Sequence, residues 1–505
     1  MPKELLKVGD LRETHILYRA NANEWFFLMA SYEGAKELVR LGYLRQNERE
    51  SDSNYARRKA EAYGFSYSKS VVDLFNFYLF KKPVKRDMAV LKEDELWIAF
   101  MEDCNLYGDD FDNFLTEQGR YASIEGHMGV LVDKASVTFE NKKEQLEQGV
   151  YPYVAAYFPT AILDWEYKRD ENNRPYLAYL KLLDDSDEDV VQYRLWWQDH
   201  FEVWEIPLEV EDAKINEESE ATLVLEGDNP IGEIPFVWLQ NLRSKNRPLG
   251  MSDIHDVARI DVSILSNLSE GEEVITYAAF PMMRKPMKES RPDGAQVPAK
   301  EDHAAVTAIL EFDPNHPESK PDWLEAKVRE PIEAILEWIA RKVQEIYRAV
   351  NAGGMASTEI STEAKSGAAL KAEFQLLNSN LVRKATNLEK AELQIIEYWL
   401  RWEEADYKKV IADISIERSR TYDVENLAAD LENALTAQTI VKSKKFSESI
   451  QKSVARAMLP AADDEQLKDI DEEIEASPAT PPITPGAAFG KEIGAPNPEE
   501  EEEEV

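Results

Sequence analysis

This sequence predicts an α+β, predominantly helical fold, and three observations carry that expectation. Apolar residues recur at helical spacing through residues 1 to about 125 and again through most of the second half. Between about 127 and 240 the period shortens to that of β-strands. The chain has 505 residues, 43% of them hydrophobic, which is more than a single core accommodates, so two to four structural units are expected.

In the first stretch, dense apolar groups at residues 24–29 and 70–80 read as helices, and Lys81-Lys82-Pro83 stops the second because proline cannot continue it. The β-like runs are 128–133, 153–158, 176–183, 193–197 and 201–206, separated by charged or turn-rich pieces such as 170–175. This body closes near Ile234-Pro235-Phe236-Val237. After Pro248-Leu249-Gly250 a helix is expected, with Ile254, Val257, Ile260, Ile264, Leu268 and Ile275 on one stripe and Ser252 or Asp253 as its cap. A Pro-rich segment from Phe280 to Pro321, with a strand-like run at 306–312, separates it from a second helix over about 329–350. That helix carries Ile332, Ile335, Ile339, Val343, Ile346 and Val350 on one side, so the pair forms an αα-hairpin with an elaborated tip.

The glycine pair in the small-residue segment 351–362 breaks the helical pattern. A very long helix is expected from Lys365 to about Ala412, with Leu370, Phe374, Leu377, Leu381, Leu388, Ile395, Trp399 and Trp402 as its stripe. At 1.5 Å per residue it would be ~70 Å long. That exceeds the partner surface of a small domain and implies a kink or packing against neighbouring subunits. Residues 423–460 read as a small helical unit, and 461–505, acidic and then Pro-rich, as a disordered tail.

The formal net charge is −38, from 59 basic and 97 acidic residues. Duplex DNA is held mainly by neutralising its phosphates, so a tight static DNA binder is disfavoured, whereas a surface that DNA slides past is compatible. The single cysteine, Cys104, excludes an internal disulfide framework and a cysteine-based zinc cluster and reads as a small buried hydrophobe. No run of about 18 apolar residues suggests a membrane span. There is no GxxxxGK[ST] loop, no GxGxxG after a strand, no HExxH and no GxSxG. The six histidines are scattered and read as surface or packed residues. The acidic runs at Asp109-Asp110 with Asp112, at 184–189 and at Glu217-Glu218 with Glu220 lack EF-hand spacing and read as solvated loops. The basic cluster at 81–86 reads as compensation for neighbouring carboxylates.

The order of body, helix, compact insertion, helix, glycine loop, very long helix and small helical cap resembles the portal proteins of tailed bacteriophages. Local phrases agree: Tyr55-Ala56-Arg57-Arg58-Lys59-Ala60 followed by Val71-Val72 and Phe80-Lys81-Lys82-Pro83, then Phe111-Asp112-Asn113-Phe114-Leu115 leading to residues 125–133. Tyr151-Pro152-Tyr153, residues 158–165 and residues 229–237 continue the similarity, which covers most of residues 50–400. The resemblance implies a wing at 1–248, stem helices at 249–278 and 328–350, a small α/β clip at 279–327 and a tunnel loop at 351–364. It further implies a long wing helix and following segment at 365–422, a helical crown at 423–460 and the tail at 461–505.

In function, the resemblance implies a non-catalytic ring of twelve copies at the portal vertex of the capsid, assembled in the host cytoplasm. Double-stranded DNA would pass through it during packaging, retention and ejection. Its partners would be the terminase large subunit, a head-completion or adaptor protein, and the major capsid and scaffolding proteins, with no cofactor, metal or membrane. The tunnel loop would project Asn351, Ala352, Gly353, Gly354, Met355, Ser357, Thr358 and Glu359 into the bore. Arg341, Lys342 and Arg348 are the stem cations expected near DNA, although each could equally pair with Glu333, Glu337 or Glu345 at helical spacing. Arg284, Lys285 and Arg291 of the clip would face the motor or adaptor. Two other readings stay open: a Mg²⁺-dependent DNA-processing enzyme, and an oligomeric scaffolding or minor capsid protein without a channel.

Overall fold

A computed structural model describes residues 6–48, 50–135, 137, 139, 141–184, 190–207, 217–279, 282–284, 322–324, 329–350, 367–403, 406–420, 422, 443–458 and 464–476. They fall in two compact units, 1–422 and 423–505. Among the described residues no helix is long and apolar enough to cross a membrane.

The principal helices of the first unit are α1 (Ile16–Glu33), α2 (Tyr67–Phe80), α3 (Phe111–Glu125), α4 (Val257–Ala279), α5 (Arg329–Ala349) and α6 (Gly367–Glu403). Their ends follow local chemistry. Ser66 Oγ accepts from Lys69 N at 3.0 Å to start α2, and Asp110 Oδ1 accepts from Asn113 N at 2.8 Å to start α3. Gly126, at φ 97°, ends α3 in the left-handed region. A Cβ there would sit 2.8 Å from the Gly250 carbonyl oxygen, and one on Gly250 would sit 1.9 Å from that of Gly126. Two backbones therefore cross where only glycines fit, at the junction from which α4 departs.

The strands of the body are β1 (His127–Asp133), β2 (Tyr153–Tyr157), β3 (Ile162–Arg169), β4 (Pro175–Leu183), β5 (Val190–Trp197), β6 (His200–Pro207), β7 (Thr222–Asp228) and β8 (Phe236–Gln240). β1 lies between β2 and β8 in an antiparallel three-stranded sheet, and all seven of its residues are buried. β3 to β7 form a sequential antiparallel meander. Its two faces serve separate cores, one around Trp165, Leu180 and Trp196, the other around Tyr193, Leu195 and Trp204. The largest core joins α2, α3, β1, α4 and α6. Cys104 is buried within it, as expected of a small hydrophobe.

The long helix departs from expectation in length. α6 ends at Glu403 and a separate short helix spans Tyr407–Ala412, so its 37 residues give ~55 Å. Its end is gripped by the body: Trp402 Nε1 donates to the Val132 carbonyl at 3.0 Å, and Glu403 takes Lys134 at 2.7 Å and Gln145 at 2.8 Å. Beyond it the chain returns to pair Ser415–Glu417 with Lys85–Asp87. From Leu377 to Trp399 the stripe is buried by the chain itself, so that half needs no neighbouring subunit. The side chains of Leu370 and Phe374 lie outside the described set.

Two further expectations change. The first hairpin helix begins at Val257, three residues after Ile254; of the two expected caps, Ser252 Oγ accepts from Ile254 N at 3.0 Å at its approach, while the Asp253 carboxylate is taken by Lys384. The second unit contains α7 (Lys444–Met458) packed on α8 (Asp464–Ala476), joined by a Lys452–Glu475 ion pair of 2.5 Å. Helix α8 therefore occupies part of the segment expected to be disordered. Its half-buried Leu467, Ile470 and Ile474 hold helical spacing within an acidic composition that masks them. The strand-like run at 306–312 and residues 423–442 lie outside the described residues.

Glu125, the last residue of α3, is 4% exposed, and its Oε2 meets no partner among the described residues. Burial lifts its pKa to about 8. The folded chain thus holds a proton that the unfolded chain releases near pH 4. The resulting stabilisation is fully present below that value and lost as pH rises through 8. Urea midpoints should fall between pH 5 and 9 by an amount equivalent to ~3–5 kcal/mol, and Glu125→Gln should flatten that fall. Equal slopes in the two proteins would remove the assignment.

Candidate functional site

The hairpin of α4 and α5 enters the largest core through Ile264, Leu265, Val343 and Ile346 and leaves one side of α5 exposed. Its arms are antiparallel and share one register. Gly271 faces Ile335, whose Cγ2 lies 3.8 Å from where a glycine Cβ would be. Eleven residues beyond Gly271, Met282 pairs with Leu324, eleven residues before Ile335, and the antiparallel ladder continues to Arg284 opposite Asp322. These strands are β9 (Met282–Arg284) and β10 (Asp322–Leu324); residues 280–281 and 325–328, between them and the helices, lie outside the described residues.

The root of the hairpin is held by buried charge. Asp261 of α4 accepts from Tyr67 N at 3.2 Å and Ser68 N at 2.7 Å, capping the free amides of α2 from another helix. Burial raises its pKa to about 6, and these hydrogen bonds oppose the rise. Arg58, buried, pairs with Glu50 at 2.6 Å and reaches Ser269 Oγ at 3.4 Å, while Arg57 meets Glu273 at 3.2 Å and Arg259 meets Glu24 at 2.8 Å. Just before α4, Asp253 forms a fully buried ion pair with Lys384 of α6. Burial pushes the lysine's pKa down and Asp253 opposes it, while the ammonium also lies 4.2 Å from the Phe75 ring centroid of α2.

The three stem cations have different surroundings. Arg341 donates to Glu337 at 2.6 Å and Arg348 to Glu345 at 2.6 Å, one turn away in each case, and both arginines are exposed. Lys342 instead turns inward. Its Nζ reaches Ser263 Oγ at 2.7 Å and Asn267 Oδ1 on α4, and partial burial lowers its pKa. It ties the two arms together. Glu333 is taken by Arg329 at 2.7 Å. Of the tip cations, Arg284 is placed on β9 by its backbone alone, while Lys285 and Arg291 lie outside the described residues. So do Asn351, Ala352, Gly353, Gly354, Met355, Ser357, Thr358 and Glu359.

Several members of the acidic and basic runs have structural partners, while residues 185–189 lie outside the described residues. Asp110 caps α3, Asp109 takes the Asn105 amide at 2.7 Å, and Glu218 takes Lys7 at 2.6 Å. Asp184 shares Arg194 with Asp133. Arg86 of the basic cluster bridges Asp112 and the buried Glu392, which also holds Arg418. His127 is buried beside Trp25 and Trp238, and burial drops its pKa to about 3. Among the described residues no group of three His, Cys, Asp or Glu is arranged to hold a metal ion.

No protein-family model and no curated protein sequence matches the chain. In structure it is similar to a chain in the neck of an empty gene transfer agent particle computed with C6 symmetry. The TM-score is 0.43 at 12% identity, over 83% of this chain and 96% of that one. A chain from the virion of the native gene transfer agent particle gives 0.41 at 11% identity, covering 83% and 94%. A chain from the neck of the native particle, computed with C12 symmetry, gives 0.40 at 10%, covering 80% and 89%.

Sequence reasoning missed Lys384 and Asp261 as anchors, although a signal existed for the first. Lys384 stands in the apolar stripe between Leu381 and Leu388, a register in which a lysine must find a buried partner. Lys384→Met, leaving Asp253 buried alone, should lower stability by about 3–5 kcal/mol. Adding Asp253→Asn should recover much of that loss, as read from urea midpoints. Two losses that simply add would show that the pair does not bind the long helix to the hairpin root.

Proposed function

We propose that this chain is a portal subunit: copies form a ring at the capsid vertex, and duplex DNA passes along the inward side of the hairpins. The observation that carries this reading is the hairpin itself, two antiparallel helices anchored at their root by buried charges. A long paired arm on a large body is the shape a channel wall requires.

The charge arrangement suits passage. On α5, Arg341 and Arg348 are already engaged by Glu337 and Glu345. Exposed ion pairs of this kind are worth ~0–1 kcal/mol, so a phosphate can exchange with a carboxylate at little gain or loss. DNA then meets cations that yield without holding it. The −38 charge of each copy, multiplied around a ring, adds a general repulsion that keeps the duplex off the wall. On this reading the tip is the end where the terminase large subunit and later a head-completion protein dock, the work of translocation being theirs.

Native mass measurement and negative-stain imaging test the reading: a ring with a central hole of duplex width is expected, and a monomer or dimer would sink it. The stripe has its own test. Glu337→Gln with Glu345→Gln frees both arginines, so duplex DNA should bind more tightly. The log–log salt slope should steepen by roughly one for each additional phosphate that the freed arginines neutralise. Unchanged binding would take Arg341 and Arg348 away from the DNA path.

A further inference from the structure

The acidity of the chain is unevenly spread. Although 97 of its 505 residues are acidic, residues 234–252 contain no Asp or Glu, and neither do residues 375–388. The fold brings these two stretches together. Asn387 of α6 donates from Nδ2 to the Asn241 carbonyl at 3.0 Å, at the foot of a short loop closed by the pairing of Leu242 with Met251 and Arg243 with Gly250. That loop exposes Arg243, Lys245 and Arg247. Arg383 and Lys390 stand one turn before and one turn after Asn387 on the exposed ridge of α6, ~10 Å apart along it. Five cations therefore surround one interhelix–loop hydrogen bond.

None of the five meets a carboxylate among the described residues. The acidic groups nearest along α6 are already engaged, Glu389 by Arg420 at 2.6 Å and Glu392 by Arg86 and Arg418. This is the reverse of α5, where Arg341 and Arg348 each have a glutamate one turn away. At physiological salt, exposed charges more than ~8 Å apart are largely screened, so the cluster acts locally in spite of the chain's net charge. The loop is also fixed in shape: Asn246 N donates to Ser244 Oγ at 3.2 Å, and Leu249 N to the Asn246 carbonyl at 2.9 Å.

We infer that this patch holds the phosphate backbone of duplex DNA, as a contact on the body rather than on the hairpin. The choice of DNA as the polyanion rests on the portal reading, whereas the patch needs no ring. The surroundings select phosphate over an acidic protein. Across residues 241–251 and 378–394 the only exposed large apolar side chain is Met251, at the foot of the loop. A protein partner is held through a centre of several apolar and aromatic anchors, whereas phosphates are held by arginine and lysine with polar neighbours. Three of the five cations are arginines, whose forked guanidinium pairs with two phosphate oxygens at once. Where the hairpin lets DNA pass, this patch retains it, because no carboxylate has to be displaced first.

The test uses the full chain and a labelled blunt duplex of mixed sequence, with binding read by fluorescence anisotropy across a salt series. Wild-type affinity should be insensitive to sequence, and the log–log salt slope should be roughly −4 to −5 as the five cations displace counterions. Arg243→Ser with Lys245→Ser and Arg247→Ser should shallow the slope by roughly three, and Arg383→Gln with Lys390→Gln by roughly two. Each set should weaken binding at least about tenfold at low salt. All five side chains are exposed, so the melting curve should not move. Lysine in place of each arginine should keep the slope, because the charge is kept.

Wild-type affinity and slope in both sets would overturn the patch, as would a wild-type chain that binds no duplex at low salt. Rings imaged in the same samples keep the two readings apart: rings with wild-type binding in every variant remove the patch alone, and patch-dependent binding by a chain that forms no ring removes the ring alone. An oligoglutamate of matched charge should compete poorly; binding it in preference to the duplex would assign the patch to an acidic protein and overturn the inference. If a multiple variant melts early, Lys245→Ser and Lys390→Gln singly put the same question, each expected to shallow the slope by roughly one.

Discussion

A lysine ammonium buried in the middle of a long helix has few tolerable surroundings, and the placement of the hairpin follows from the one found here. Lys384 pairs with Asp253 and lies on Phe75, so a single cation ties α6, the approach to α4, and α2 together. An unpaired charge at that depth is far more costly than the pair. The packing that brings α6 onto the body and the point at which α4 leaves it are therefore set jointly. Asp261 repeats the device farther along α4, committing a carboxylate to the exposed amides of α2. Ion pairs of Arg57 with Glu273 and of Arg259 with Glu24, and a hydrogen bond from Arg58 to Ser269, add lateral support along the same helix.

The acidity of the chain looks different once its partners are known. Within the runs that first suggested solvated loops, Asp110 caps a helix and Asp112, Asp184 and Glu218 meet particular cations, and elsewhere Glu392 sits fully buried between Arg86 and Arg418. What is left on the outward side of α5 is a ladder of one-turn pairs. Such a surface has high charge density and little net field, a combination that favours brief contact with a polyanion over retention.

Much of this architecture was legible from periodicity. The block of β-strands, both hairpin helices and the stripe of α6 from Leu377 to Trp399 occur where spacing places them. Where periodicity misled, something distant in sequence intervened. α6 ends at Glu403, where Val132, Lys134 and Gln145 engage the side chains of its last two residues. Asp253 fails to cap α4 because a residue 131 positions away claims it. Helix α8 escaped notice because its three apolar residues are diluted by acids. Of the stem cations, the sequence allowed Arg341, Lys342 and Arg348 to be equivalent, and only the position of Ser263 and Asn267 across the hairpin separates Lys342 from the others.

The two helical arms keep one count where they meet, with Lys342 against Ser263 and Asn267 and Ile335 opposite Gly271, like calipers cut to one scale. One residue added to a single arm between these contacts would swing everything beyond it by about 100° and advance it by about 1.5 Å relative to the other arm. The lysine clasp and the glycine contact could then not both be kept, so along this stretch length can change only in pairs, one arm answering the other.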